Sequence, residues 1–288
     1  MCGYLHFGAD THCSFNGTTD CKDEEADTLK HRRLTGRITA AALSAVMGCS
    51  GAFLYSAPPA YAAGYERVNG YYQMLDGTVI DGVVARGIDV SRWQGNIDWN
   101  AVAADDVEFV MLGTRSKGAV DPYFHKNVKE ASDAGVRVGA YIYSLATTPQ
   151  MAVEEADFVL DLVKDYPISF PIAFDAEDSS TLGSLPPAQV TEIINAFCER
   201  VEAAGYYPMV YANDYWLPNK IDMSNMHHDV WVARYEVKHN FSDPIMWQAT
   251  STGSIDGIAG NVDINFLYKD LTPYLPGNLW RTIGDKTY

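Results

Sequence analysis

Asp175 and Glu177 stand two residues apart at the end of the apolar run Pro171-Ile172-Ala173-Phe174, with Asp178 following. A run this short and this apolar reads as a buried strand, and side chains at i and i+2 of a strand project to the same side. Both carboxylates therefore leave the strand end together. Neighbouring carboxylates repel when both are ionised, so one holds its proton to higher pH and can donate it while the other stays charged. Cleavage of a glycosidic bond uses such a pair. Taken alone, the same residues could equally start a solvated loop or cap a helix, and the rest of the chain has to decide.

The elements that would position the pair begin at Gly87. Residues 87–90, 109–114, 137–143, 172–174, 209–211, 230–233, 245–247 and 262–265 form apolar, strand-like segments. Between the first five lie helical patterns or lengths that hold them. Asp121-Pro122 opens an amphipathic stretch ending at Gly135, Thr148-Pro149 has the cap-then-proline form of a helix start, and Pro186-Pro187 opens another helix. Alternation of strands and helices implies a parallel sheet with right-handed crossovers. About eight strands within this length imply an α/β fold, an irregular (β/α) TIM-like barrel. The later strands follow one another too closely for full helices, so its second half is expected to be abbreviated. Functional residues of such barrels sit at the C-terminal strand ends. Asp89 ends the first strand, Asp175 and Glu177 the fourth, and Asp263 lies within the last. Four carboxylates at one mouth favour chemistry over capping.

The chain has 288 residues, and its first sixty or so do not read as part of that barrel. Lys30, His31, Arg32, Arg33 and Arg37 precede the mostly apolar residues 38–55 and the small-x-small triplet Ala60-Tyr61-Ala62. This is the pattern of an export signal cleaved after Ala62. Uncleaved, residues 38–55 would instead anchor the chain in a membrane. Val46-Met47-Gly48-Cys49 partly resembles a lipoprotein signal, with Met47 a poor fit. The expected organisation is an N-terminal extension and signal over 1–62, a spacer or arm over 63–85, a barrel domain over 86–271 and a tail over 272–288. Cys2, Cys13 and Cys21 have no compact zinc spacing.

Beyond the signal only Cys198 remains, so the exported chain holds no internal disulfide. Ile193, Ile194, Phe197, Cys198 and Val201 recur at helical spacing, which makes Cys198 a core residue. A formal charge of −16 argues against nucleic acid as a partner and offers no attraction to anionic membranes or wall polymers. No cofactor or metal is expected, since His227 and His228 are adjacent and would face opposite ways on a strand.

A resemblance sharpens this reading. Arg86-Gly87-Ile88-Asp89-Val90-Ser91-Arg92-Trp93-Gln94-Gly95, Ile97-Asp98-Trp99, Asp121-Pro122-Tyr123-Phe124 with Asn127, Gly139-Ala140-Tyr141-Ile142-Tyr143-Ser144 and Phe174-Asp175-Ala176-Glu177 occur in that order. Val210-Tyr211, Trp231-Val232-Ala233-Arg234-Tyr235, Trp247-Gln248 and Val262-Asp263-Ile264-Asn265 follow. Together they resemble the family 25 glycoside hydrolases, the lysozymes or N-acetylmuramidases, over roughly residues 86–270. The resemblance implies an exported or wall-associated hydrolase acting on peptidoglycan glycan strands at the β-1,4 bond between N-acetylmuramic acid and N-acetylglucosamine. It implies Glu177 as general acid, Asp175 as the partner that orients the substrate's acetamido group, and Asp89 and Asp263 as flanking carboxylates.

Side-by-side carboxylates on one strand do not readily flank a sugar ring, which points to acetamido participation rather than a carboxylate nucleophile. Trp93, Tyr143, Tyr211, Trp231 and Tyr235 lie at or beside strand ends, where rings can stack on sugars or pack in the core. For Trp231 the two uses weigh equally. Many relatives carry a cation at the end of the second strand. Here Arg115 would supply it from a shifted position, pairing with Asp121, contacting a lactyl carboxylate, or forming an exposed salt bridge. Two alternatives remain. A chitinase-like hydrolase would have another Asp two residues before the pair, where this chain has Ala173, and a non-catalytic carbohydrate-binding barrel would be expected to lack Glu177.

Overall fold

Strands that are covered on both faces need apolar side chains throughout rather than in alternation, because a parallel sheet has no solvated side. Phe109–Gly113 and Val230–Ala233 satisfy this, with every residue buried. The structure, a computed structural model, describes residues 65–116 and 118–271 and the backbone of 282–283 and 286–287. The expectations for residues 1–62, including the export signal, and for most of the tail fall outside the described residues. No described helix is long and apolar enough to cross a membrane.

In chain order the strands are β1 (Tyr65–Val68), β2 (Tyr71–Met74), β3 (Ala85–Val90), β4 (Phe109–Gly113), β5 (Arg115–Ser116), β6 (Ala119–Val120), β7 (Arg137–Tyr143), β8 (Ile172–Asp175), β9 (Pro208–Asn213), β10 (Val230–Ala233), β11 (Met246–Gly253), β12 (Val262–Leu267), β13 (Thr282–Ile283) and β14 (Lys286–Thr287). Eight of them close a barrel in the order β10-β11-β12-β3-β4-β7-β8-β9. All eight strand-like segments of the sequence occupy places in it. One expectation is corrected: β12 runs antiparallel to both of its neighbours, so the sheet is mixed rather than wholly parallel. Eight residues separate β11 from β12, too few for the helix that a parallel return would need.

The helices are α1 (Trp99–Ala104), α2 (Phe124–Asp133), α3 (Pro149–Val163), α4 (Pro187–Ala203) and α5 (Trp216–Lys220). Among the described residues no α-helix follows β10 or β11, which makes the second half the abbreviated one. Thr148 caps α3 by accepting from the Met151 N–H at 3.2 Å, with Pro149 in its first turn. Ile193, Ile194, Phe197, Cys198 and Val201 form the buried stripe of α4. Inside the barrel, Phe109 pairs in register with Gly87, and a Cβ on Gly87 would lie 2.4 Å from the Phe109 ring. Only glycine leaves room for that ring.

β1 and β2 form a hairpin whose loop residues Asn69 and Gly70 both have positive φ, the two-residue turn that asparagine and glycine favour. Its Tyr65 and Tyr72 rings each lie 5.0 Å from Phe266 of β12. The Tyr65 hydroxyl accepts from Arg86 Nη1 at 3.2 Å, and the Tyr72 hydroxyl donates to Asp106.

Candidate active site

Asp175 is the last residue of β8 and pairs in register with Tyr143 on one side and Tyr211 on the other. Glu177 follows two residues later. Asp89, near the end of β3, pairs with Asp263 near the start of β12. The reversed direction of β12 is what brings its first turn of chain to the mouth where the parallel strands end. One cleft of about 430 Å³ is lined by all ten residues singled out from the sequence: the four carboxylates, the five aromatics and Arg115.

The carboxylates differ in their surroundings. Asp89 Oδ1 accepts from Asn265 Nδ2 at 2.7 Å and from Gln248 Nε2 at 2.9 Å. Those amides are themselves oriented. Trp231 Nε1 donates to Asn265 Oδ1 at 2.8 Å, and the hydroxyls of Tyr211 and Tyr235 donate to Gln248 Oε1 at 2.8 and 2.9 Å. A chain of donors thus converges on one oxygen and favours the charged form of Asp89, whose pKa burial nonetheless raises to about 6. Asp263 is pushed up to about 9, first by burial and then by the charge of Asp89 beside it. The proton of this pair rests on Asp263.

Asp175 is buried, and its Oδ1 has no hydrogen-bond partner among the described residues. Burial above all, then the charges of Glu177 and Asp89, holds its pKa well above the ordinary value. Glu177 is half-buried and also raised, by burial and then by Asp89 and Asp178. Asp178 has the opposite setting. Its Oδ1 accepts from the backbone and hydroxyl of both Ser180 and Thr181, and its Oδ2 from the Tyr143 hydroxyl at 3.0 Å. Those bonds hold it at about 2, a permanent negative charge next to Glu177.

The aromatic residues divide by exposure. Tyr211 and Trp231 are 6% and 1% exposed, with their polar atoms engaged by Gln248 and Asn265, and their rings meet edge to face at 4.7 Å. They wall the cleft from within. Trp93, Tyr143 and Tyr235 present ring surface to solvent. Arg115 corrects another expectation: Asp121 is not its partner, and the ion pair it makes is not an exposed one. Its Nη2 meets Glu155 Oε1 at 2.6 Å, and Glu155 also accepts from Ser144 Oγ and Leu145 N–H. Asp121 instead accepts from the backbone N–H groups of Arg92 and Tyr123. The sequence reading did not single out Arg92, Tyr141, Gln248 or Asn265 as site residues, although all four lie within the motifs that carried the resemblance. Among the described residues no group of three or more His, Cys, Asp or Glu is placed to hold a metal ion.

The chain is similar in sequence and fold to known proteins. Residues 88–258 match the sequence profile of the glycosyl hydrolases family 25. The uncharacterized protein YegX of Escherichia coli O157:H7 is 30% identical over 190 residues, a match spanning 62% of this chain and 68% of that protein. The autolytic lysozyme of Clostridium acetobutylicum is 26% identical over 183 residues, spanning 62% and 55% of the two chains. Among solved structures, the modular autolysin LytC from Streptococcus pneumoniae superposes with a TM-score of 0.62 at 26% identity, over 72% of this chain. The match spans about half of LytC, 52% of its length. LytC has also been solved in complex with a synthetic peptidoglycan ligand, and that structure superposes with a TM-score of 0.61.

Proposed function

The chain belongs to the glycosyl hydrolases of family 25, and from that premise we propose that it is an exported peptidoglycan hydrolase. It cleaves the β-1,4 bond between N-acetylmuramic acid and N-acetylglucosamine, needs no cofactor and acts on the glycan strands of the cell wall. Residues 1–62 serve as leader, 63–85 as an arm and 86–271 as the catalytic domain. The reading rests on one observation above the others: Asp175 keeps a buried acceptor oxygen, Oδ1, without a donor among the described residues, beside the half-buried acid Glu177.

A buried acceptor of this kind costs free energy until a donor meets it. The N–H of an acetamido group supplies one. That hydrogen bond favours ionised Asp175 and lowers its pKa, so the proton held in the pair moves to Glu177 as substrate seats. Glu177 is then charged with the proton that the leaving oxygen needs. The anionic Asp175 steadies the acetamido group as its carbonyl oxygen attacks the anomeric carbon, and the same two residues later assist the water that opens the cyclic intermediate. Asp89 and protonated Asp263 fix the field around Glu177. Trp93, Tyr143 and Tyr235 provide ring surface for neighbouring sugars, and Tyr211 and Trp231 hold the floor.

Peptidoglycan digestion followed by mass analysis tests this reading. New reducing ends on N-acetylmuramic acid are expected, whereas new ends on N-acetylglucosamine, or no digestion by the mature chain, would overturn it. N-terminal sequencing of secreted material should begin at Ala63. A membrane-bound product retaining residues 38–55, or a lipidated Cys49, would replace secretion with anchoring.

A further inference from the structure

The cleft is built from carboxylates, in a chain of formal charge −16, yet the strands it is proposed to bind are themselves anionic. Something at the mouth has to receive negative charge. Two arginines line the cleft among the described residues. Arg115 is neutralised by Glu155 at 2.6 Å. Arg92 is not: among the described residues it takes part in no ion pair.

Arg92 is nevertheless held in place. Its backbone N–H donates to Asp121 Oδ2 at 2.9 Å, its Nη1 donates to Ser116 Oγ, and its guanidinium carbon lies 4.1 Å from the Trp93 ring centroid. The turn carrying both residues is closed by a reciprocal cap in which Ser91 accepts from Trp93 N–H and Gln94 Oε1 accepts from Ser91 N–H at 2.9 Å. Gln94 Nε2 in turn reaches the Asn261 carbonyl at 3.3 Å. Trp93 is 76% exposed, far more than the other large apolar side chains of the cleft. A fixed, uncompensated guanidinium stacked on an open indole presents planar donors beside a surface suited to a sugar ring.

We propose that Arg92, on its Trp93 platform, binds a carboxylate carried by the glycan and so makes the enzyme prefer carboxylate-bearing strands to neutral ones. The proposal rests on the reading above and adds to it the group that selects among strands. The carboxylate has two sources, the lactyl substituent of a peptide-free strand and the stem peptide of a substituted one.

The test compares wild type and Arg92→Gln on three soluble substrates: peptide-free strands, the same strands with the lactyl carboxyl reduced to an alcohol, and peptide-bearing strands. Wild type is expected to show a KM on the order of tenfold lower for a carboxylate-bearing strand than for the reduced one, the scale of one charge-assisted contact. Arg92→Gln should abolish that difference. Arg92→Lys keeps the charge without the planar fork and should retain part of it. With wild type alone, the preference should shrink as salt rises from 0.05 to about 0.5 M.

Selection for the peptide-free strand assigns the lactyl carboxylate, and selection for the peptide-bearing strand assigns the stem peptide. A preference that survives Arg92→Gln in a variant with unchanged thermal midpoint, or one that wild type never shows, overturns the proposal and leaves the hydrolase reading standing. Wild type that cuts none of the three overturns both.

Discussion

Asp89 and Asp263 face each other in register across two strands that run in opposite directions. A parallel partner would have carried its residue 263 toward the far end of the barrel. Because β12 is reversed, a residue near its start meets one near the end of β3, and the two carboxyls share a proton that the donors on Asp89 push onto Asp263.

That proton has a consequence for stability. Asp263 titrates at about 9 in the folded chain against an ordinary 3.8. Between those values the folded state binds more protons than the unfolded one, so this group makes stability fall as pH rises through the window. Asp263→Asn removes the titration while keeping a donor for Asp89. Its thermal midpoint should match that of the parent near pH 4 and exceed it increasingly toward pH 9, by about 2–4 °C per kcal/mol for a domain of this size. A difference that shrinks with rising pH would take the proton off Asp263.

Glu177→Gln should fold normally and lose on the order of 10²–10⁴ in turnover, the usual worth of general-acid assistance. Turbidity loss of a wall suspension reads the effect directly. A variant keeping more than about a tenth of parental activity would remove Glu177 from the role of acid.

Acetamido participation predicts net retention at the anomeric carbon. NMR of the first-formed product should show the β anomer, and Asp175→Asn should depress turnover more than binding, because the charge matters most as the acetamido group becomes positive. An inverted product would mean that a carboxylate across the ring activates water instead.

Cys198 lies in the core on α4, where burial raises its thiol pKa. A mechanism that runs on carboxylates predicts full activity after alkylating reagents are applied to the folded protein, and equally in excess chelator. A loss beyond about tenfold under either treatment, measured on soluble strands, would require a different chemistry.

Much of this was readable in the residues. Phe109-Val110-Met111-Leu112 and Val230-Trp231-Val232-Ala233 declare buried strands by composition, and the carboxylates at Asp89 and Asp175 announce a mouth because strand ends are where a barrel keeps its polar groups. The direction of β12 was not readable, since a strand has the same alternation whichever way it runs. The hairpin turn Asn69-Gly70 carries a local signal in its residue types, since asparagine and glycine tolerate the positive φ that both adopt. Partner choice was the least legible feature. Arg115 meets Glu155 forty residues away because β5 and the middle of α3 converge in space, and neither sequence spacing nor charge pattern encodes that meeting. The amides Gln248 and Asn265 stood in recognised motifs, but only their geometry shows that both aim at one oxygen of Asp89.

The reversed closing strand also constrains how the chain can be made. β12 is hydrogen-bonded to β3 on one side and β11 on the other, and the contact it completes joins Asp89 to a residue 176 positions later. As synthesis proceeds from the N-terminus, β3 waits with an open edge through nearly the whole of the domain, and open edges recruit strands from other chains. A polypeptide halted before Val262 therefore carries two bare edges that face no partner, together with a buried Asp89 stripped of one of its amide donors. Such a product should be captured by chaperones or deposited as aggregate, and release of soluble protein should begin only once residues 262–267 have been added.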